Sequence, residues 1–107
     1  MLLWGLYIKE REGAEIIYND HAFVTYQVTG KDEILVVDLF VENEYRKKGM
    51  VDELWSKLLE KTKPKIVYGM TDVEALNWDS SHKFMTSFGF TPYTQEGNTI
   101  YYYREIE

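Results

Sequence analysis

The run from residue 34 to 41 carries apolar side chains at both parities. Ile34, Val36 and Phe40 share one face with Asp38, and Leu35, Val37, Leu39 and Val41 share the other. A strand that is apolar on both faces must be central and covered on both sides. The residues after this strand narrow the choice further. A short acidic turn, Glu42-Asn43-Glu44-Tyr45, leads to Arg46-Lys47-Lys48 and Gly49, and a periodic segment begins at once. There Val51, Leu54, Trp55, Leu58 and Leu59 form one stripe, while Asp52, Glu53, Ser56, Lys57, Glu60 and Lys61 form the other, as an amphipathic helix requires. Lys63-Pro64 stops that helix. Residues 66–70 then read as a second buried strand. Strand, helix and strand in this order predict a right-handed crossover between parallel strands. The loop between the first strand and the helix presents backbone N–H groups at a helix start, with cations beside them. That is an anion site, and a phosphorylated cofactor is the ligand it suggests.

The rest of the chain fits around this unit. At 107 residues, with 45% hydrophobic and 16% aromatic composition, residues 1–107 are expected to form one domain with a packed core. Residues 16–18 and 22–28 read as strands, separated by a turn at Asn19-Asp20. Gly30-Lys31-Asp32 makes the turn into the central strand. A short helix is expected from about 80 to 88, with Asp79 or Ser80 as its cap and Gly89 as its stop. Residues 90–93 and 99–104 form a hairpin around Glu96-Gly97-Asn98. The expected class is α+β, or α/β-like: a mixed, mostly antiparallel central sheet with one βαβ crossover, two packed helices and a C-terminal hairpin.

Several functional classes are disfavoured. The net charge of −6 argues against broad binding to nucleic acid or an anionic membrane, and is compatible with a cationic partner such as an amine. The chain has no cysteine, which removes disulfides, thiolate metal sites and a cysteine nucleophile, and fits a cytoplasmic protein. The two histidines lack metal-ligand spacing and no EF-hand pattern is present, so no metal is expected. The apolar N-terminal residues 1–8 are too short to span a bilayer and read as a strand.

Over roughly residues 22–104 the chain resembles the GNAT superfamily, the GCN5-related N-acetyltransferases. Three features in register carry the resemblance. The first is the signature Arg46-Lys47-Lys48-Gly49-Met50-Val51. The second is the preceding strand end Leu39-Phe40-Val41 with its acidic turn. The third is a strand ending near Thr71-Asp72, then Asn77 and a short helix closing in Gly89-Phe90. A Ser-His segment before that helix end resembles trimmed, phage-encoded acetyltransferase-like proteins. The resemblance implies acetyl-CoA as co-substrate. Its diphosphate would lie on Arg46, Lys47, Lys48, Gly49, Met50 and Val51, its pantetheine arm beside Leu39 and Val41, with Asn77 also in contact. The implied reaction is direct attack of a primary amine, on a small molecule or a peptide, on the thioester.

Two departures accompany the resemblance. Val51 holds a position where the family has glycine or alanine, although it also begins the apolar stripe of the helix. Met85 holds the position where the family often has a tyrosine that protonates the leaving thiolate, and methionine has no such proton. Ser80, Ser81, Tyr93 and Tyr101 are candidate substitutes. Candidate bases are Asp72, beyond the carboxyl end of its strand, and Asp38 on the central strand; the plainer roles are a turn residue and a paired acid, respectively. His82 is expected to be structural or solvent-facing, and His21 uninvolved. Tyr101 and Tyr103 share one face of the last strand as sheet cover, an acceptor pocket or a homodimer edge. Family members usually have two helices between their first two strands, and residues 10–14 leave no room for them. The alternative function is a non-catalytic domain of the same fold that binds acyl-CoA or a protein partner.

Overall fold

The computed structural model describes residues 14–46 and 49–106. The strand expected over residues 1–8 and the turn through Gly13 lie outside the described residues, as do Lys47 and Lys48. Six strands form one sheet: β1 (Glu15–Tyr18), β2 (Ala22–Gly30), β3 (Glu33–Val41), β4 (Ile66–Asp72), β5 (Thr91–Glu96) and β6 (Thr99–Glu105). Helix α1 (Met50–Thr62) joins β3 to β4, and α2 (Trp78–Ser87) joins β4 to β5. The strand order is β1-β2-β3-β4-β6-β5, antiparallel everywhere except between β3 and β4. The expected α+β class, the crossover and the terminal hairpin are all present.

Both helices pack on the same face of the sheet. Leu54 and Leu58 of α1 sit in a core with Ile17, Val24, Tyr26, Ile34, Val67, Phe90 and Tyr102. Trp55 links the two helices, meeting Phe88 at the end of α2 and Phe90 edge-on at centroid distances of 5.3 and 5.9 Å. Arg104 fastens this corner. Its Nη1 donates to the Phe88 carbonyl at 2.7 Å, and its guanidinium lies over the Trp55 and Phe88 rings.

Side-chain parity in β3 differs from the simple alternation expected. Tyr26 of β2 pairs with Val36 and its neighbour Thr25 pairs with Asp38, so Val37 is an extra residue without a partner across the ladder. This bulge switches parity. Ile34 and Val36 face the helices before it, Leu39 and Val41 do so after it, and Asp38 and Phe40 turn to the other side with Thr25 and Phe23. Among the described residues no helix covers that second face. Its side chains cover one another instead: Phe23 stacks on Phe40, and Tyr93 packs between Tyr68 and Tyr103.

The cap of α2 also differs from expectation. Asn77 occupies the N-cap position, ahead of Asp79 and Ser80, and its side chain makes no capping bond. The tight turn after β4 starts the helix early. The Trp78 N–H reaches the Ala75 carbonyl and the Ser81 N–H reaches that of Asn77.

Candidate functional site

Among the described residues, the sheet parts between β3 and β4. The parallel strands β3 and β4 pair only through Glu33–Ile66, Ile34–Val67 and Leu35–Tyr68. Beyond these rungs β3 runs on to Val41 and β4 to Asp72 without pairing to each other. The extra residue Val37 falls where the strands part, and a bulge bends the strand that carries it. The result is an unpaired gap between the two strands toward their carboxyl ends. Leu39 and Val41 line its β3 side, and Gly69, Met70, Thr71 and Asp72 its β4 side.

The loop after β3 stands at the carboxyl end of this gap. Residues Asn43–Tyr45 form a 3-10 turn held by the Tyr45 N–H on the Glu42 carbonyl. His21, expected to be uninvolved, braces this turn by stacking on Tyr45 with ring centroids 3.5 Å apart. Arg46 donates from Nε to the Val41 carbonyl at 3.1 Å, which ties this cation to the strand end. Gly49 then caps α1 at φ 78°, a left-handed conformation that favours glycine, and its carbonyl accepts the Glu53 N–H. Among the described residues, a Cβ placed at Gly49 would meet no atom within 4 Å beyond its chain neighbours. Among the described residues no side chain caps the helix start, so the first N–H groups of α1 keep their capacity to hold an anion. Val51 packs against the core.

The carboxylates lie apart from one another. Asp38, on the face away from the helices, takes the Thr25 hydroxyl at 3.4 Å while its own N–H donates to Thr25 Oγ1 at 3.0 Å. Asp72 ends β4, exposed, with Oδ1 accepting the Glu74 N–H at 2.9 Å. Asn77 is exposed beyond it. Among the described residues no group of His, Asp or Glu side chains is placed to hold a metal ion.

Met85 lies over Gly69. A methyl group on Gly69 would collide with Met85 Cε and touch Phe90 at 3.6 Å. The methionine is therefore a packing residue, fitted to a glycine on the gap-lining strand.

The sequence reading missed a polar cluster beside it. Tyr102 is fully buried on β6 opposite Gly69. Its hydroxyl lies 2.9 Å from Thr71 Oγ1 and 2.8 Å from His82 Nδ1. Trp78 Nε1 donates to the same Thr71 oxygen at 3.2 Å, and its ring stacks on His82. His82 is thus committed to a buried phenol. The spacing of Trp78 and His82, one helical turn apart, was the available signal. Tyr93, by contrast, lies on the opposite face with Tyr68 and Tyr103.

No family model and no curated protein matches the sequence. Solved structures match its fold. An acetyltransferase from Thermus thermophilus superposes with a TM-score of 0.76 at 10% identity, over 98% of this chain and 73% of that one. The PaiA N-acetyltransferase from Thermoplasma acidophilum, solved in complex with coenzyme A, gives 0.72 at 14% identity over 98% and 69%. A GNAT family acetyltransferase from Elizabethkingia anophelis with acetyl-CoA bound gives 0.66 at 11% identity over 94% and 82%. With its bulged, parting parallel strands and glycine-capped crossover helix, this chain has the GNAT fold.

Proposed function

We propose that the protein is an acetyl-CoA-dependent N-acetyltransferase that moves an acetyl group to a primary amine by direct attack on the thioester. The observation that carries this reading is the gap between β3 and β4 opening onto a helix start led by an unobstructed Gly49. Binding of coenzyme A by two proteins of the same fold supports it. The residues fit the ligand. Arg46, Lys47 and Lys48 supply positive charge, and the amides from Gly49 to Val51 supply donors for a diphosphate. The β3 edge beside Leu39 and Val41 offers strand-like pairing to an extended pantetheine arm, with Asn77 at the carboxyl end of the gap. When bound, the ligand supplies an activated acetyl group.

The chain's own contribution is to bring the amine and thioester together and to handle protons. Holding two reactants in register supplies much of such a rate enhancement. Asp72 is the carboxylate we assign to accept the amine proton, since it stands at the open end of β4. Asp38 takes that role if the amine enters from the helix-free face. The net charge of −6 favours a cationic acceptor, a small-molecule amine or a basic peptide.

The packing of Met85 on Gly69 favours a second reading, a domain that binds acyl-CoA without turning it over. Thermal melts with and without acetyl-CoA, followed by thioester turnover with a panel of amines, separate the readings. Stabilisation with turnover is expected. Stabilisation without turnover supports a binding domain, and no stabilisation at millimolar ligand refutes both. In the variant Arg46→Glu/Lys48→Glu the stabilisation should be lost.

A further inference from the structure

The acetyl-transfer reading leaves one chemical gap. The residue over Gly69 is methionine, so the sulfur that leaves during transfer has no adjacent hydroxyl from that position. On the same face, two residues along β4, sits Thr71, about 7 Å from Gly69 at the usual strand rise. Thr71 lies on the stretch of β4 that has parted from β3. It is hydrogen-bonded to a phenol that is fully buried, which is in turn bonded to a half-buried imidazole.

Donor bookkeeping allows this chain to run toward Thr71. An indole nitrogen only donates, so Thr71 Oγ1 accepts from Trp78. A hydroxyl oxygen accepts twice, so Thr71 Oγ1 has room to accept the Tyr102 hydroxyl hydrogen as well; either oxygen of this pair can be the donor. In that arrangement Tyr102 Oη accepts from His82 Nδ1, and in the reverse one it donates to it. In the arrangement that runs toward Thr71, both acceptor positions are filled and the Thr71 hydrogen is free to point away from this cluster. His82, only half buried, can exchange its other ring proton with water.

We propose that His82, Tyr102 and Thr71 form a proton wire that ends at Thr71 Oγ1 and serves as the acid of the transfer reaction in place of the residue at Met85. The inference rests on the acetyltransferase reading. The amine nitrogen forms its bond to the carbonyl carbon, the carbon–sulfur bond breaks, and the sulfur keeps the electron pair. Thr71 gives its hydroxyl proton to that sulfur, recovers one from Tyr102, and Tyr102 recovers one from Nδ1 of the His82 imidazolium. The neutral imidazole, still protonated at Nε2, turns its bare Nδ1 to water, takes up the proton shed by the new amide nitrogen and turns back, while the two hydroxyl hydrogens rotate to their starting directions. Charge and protons balance over the cycle. Thr71 is the group that touches the reacting atoms; Tyr102 and His82 act through it.

Two measurements test the wire, one without turnover. The imidazole nitrogens of His82 are followed by NMR during titration with coenzyme A and with desulfo-coenzyme A. A perturbation produced by coenzyme A alone, and abolished in Tyr102→Phe, is expected. Equal spectra with both ligands bound overturn the wire, whereas failure of either ligand to bind refutes the acetyltransferase reading itself. In the kinetic arm, coenzyme A release is measured with spermidine as acceptor. A positioned acid contributes about 10²–10⁴-fold, and a thiolate is a fair leaving group, so Thr71→Val should lower kcat by about 10- to 100-fold with KM for acetyl-CoA unchanged. Thr71→Ser, which keeps the hydroxyl, should restore it. If valine and serine variants turn over equally, the wire is refuted, and a purely structural role for Thr71 is left.

Discussion

Deleting Val37 tests whether the bulge is what opens the site. Thr25 and Tyr26 are consecutive on β2, yet their partners Asp38 and Val36 are two apart on β3. Removing the residue between them leaves every other β2–β3 pair intact and every side chain on its present face. Val36, Leu39 and Val41 still point to the helices, and Asp38 and Phe40 still point away. The stability cost is therefore small. Val37 is half buried, so about 1 kcal/mol of burial is lost, partly offset by a regular ladder. For a 107-residue chain about 1 kcal/mol corresponds to about 4–5 °C in melting temperature. The deletion should thus melt within about 5 °C of the parent. Its effect on ligand should be far larger, because an unbulged β3 straightens toward β4 and narrows the gap. Acetyl-CoA at one hundred times its Kd stabilises the parent by about 2.7 kcal/mol, or about 12 °C. In the deletion variant that shift should disappear. The assay is a pair of thermal melts with and without acetyl-CoA at about one hundred times Kd, with circular dichroism confirming the sheet. A well-folded deletion variant that keeps the full shift would refute the link between bulge and site.

Gly49→Ala forces a side chain into the left-handed region at φ 78°, at a cost of about 1–2 kcal/mol, and places a methyl group in the space assigned to the diphosphate. Melts should show a fall of about 4–9 °C without ligand and a reduced acetyl-CoA shift; an unchanged shift would place the diphosphate elsewhere. Gly69→Ala displaces the flexible methyl end of Met85 and should cost less than about 1 kcal/mol in urea unfolding, whereas Gly69→Ala/Met85→Ala should be more stable than the sum of its single variants. Additive losses would mean the two residues do not touch. Burial, aided by its hydrogen bond to Glu15, raises the Tyr26 phenol above its usual value of about 10. The unfolded chain therefore gives up this proton first. Stability held below about pH 10 should drain away as pH rises past it, less steeply in Tyr26→Phe, and equal slopes would remove Tyr26 as the cause.

The sequence carried the order of elements because that order is written in local periodicity. The stripe from Val51 to Leu59 and the punctuation at Gly30, Pro64, Gly89 and Gly97 each need only neighbouring residues to be read. Parity in β3 is a different kind of property. Val37 is a good strand residue, and nothing in its identity marks a bulge; the extra residue exists only relative to Thr25 and Tyr26 on another strand. One consequence was misplacing Asp38 and Phe40 on the face of Ile34 and Val36. The polar cluster was hidden for the same reason. Tyr102 and His82 are twenty residues apart and meet because α2 crosses β4 and reaches β6. Locally, Tyr102 is the middle of three tyrosines and His82 a lone histidine. What distinguishes Tyr102 from Tyr101 and Tyr103 is the helix above it, so its full burial and its two hydroxyl partners follow from packing alone. A buried phenol must find partners or destabilise the fold, and here the partners nearest the parting strands are a threonine and a histidine. The requirement that satisfies the core thus also places exchangeable protons beside the gap, and the bulge that hides the parity of β3 falls where that gap begins.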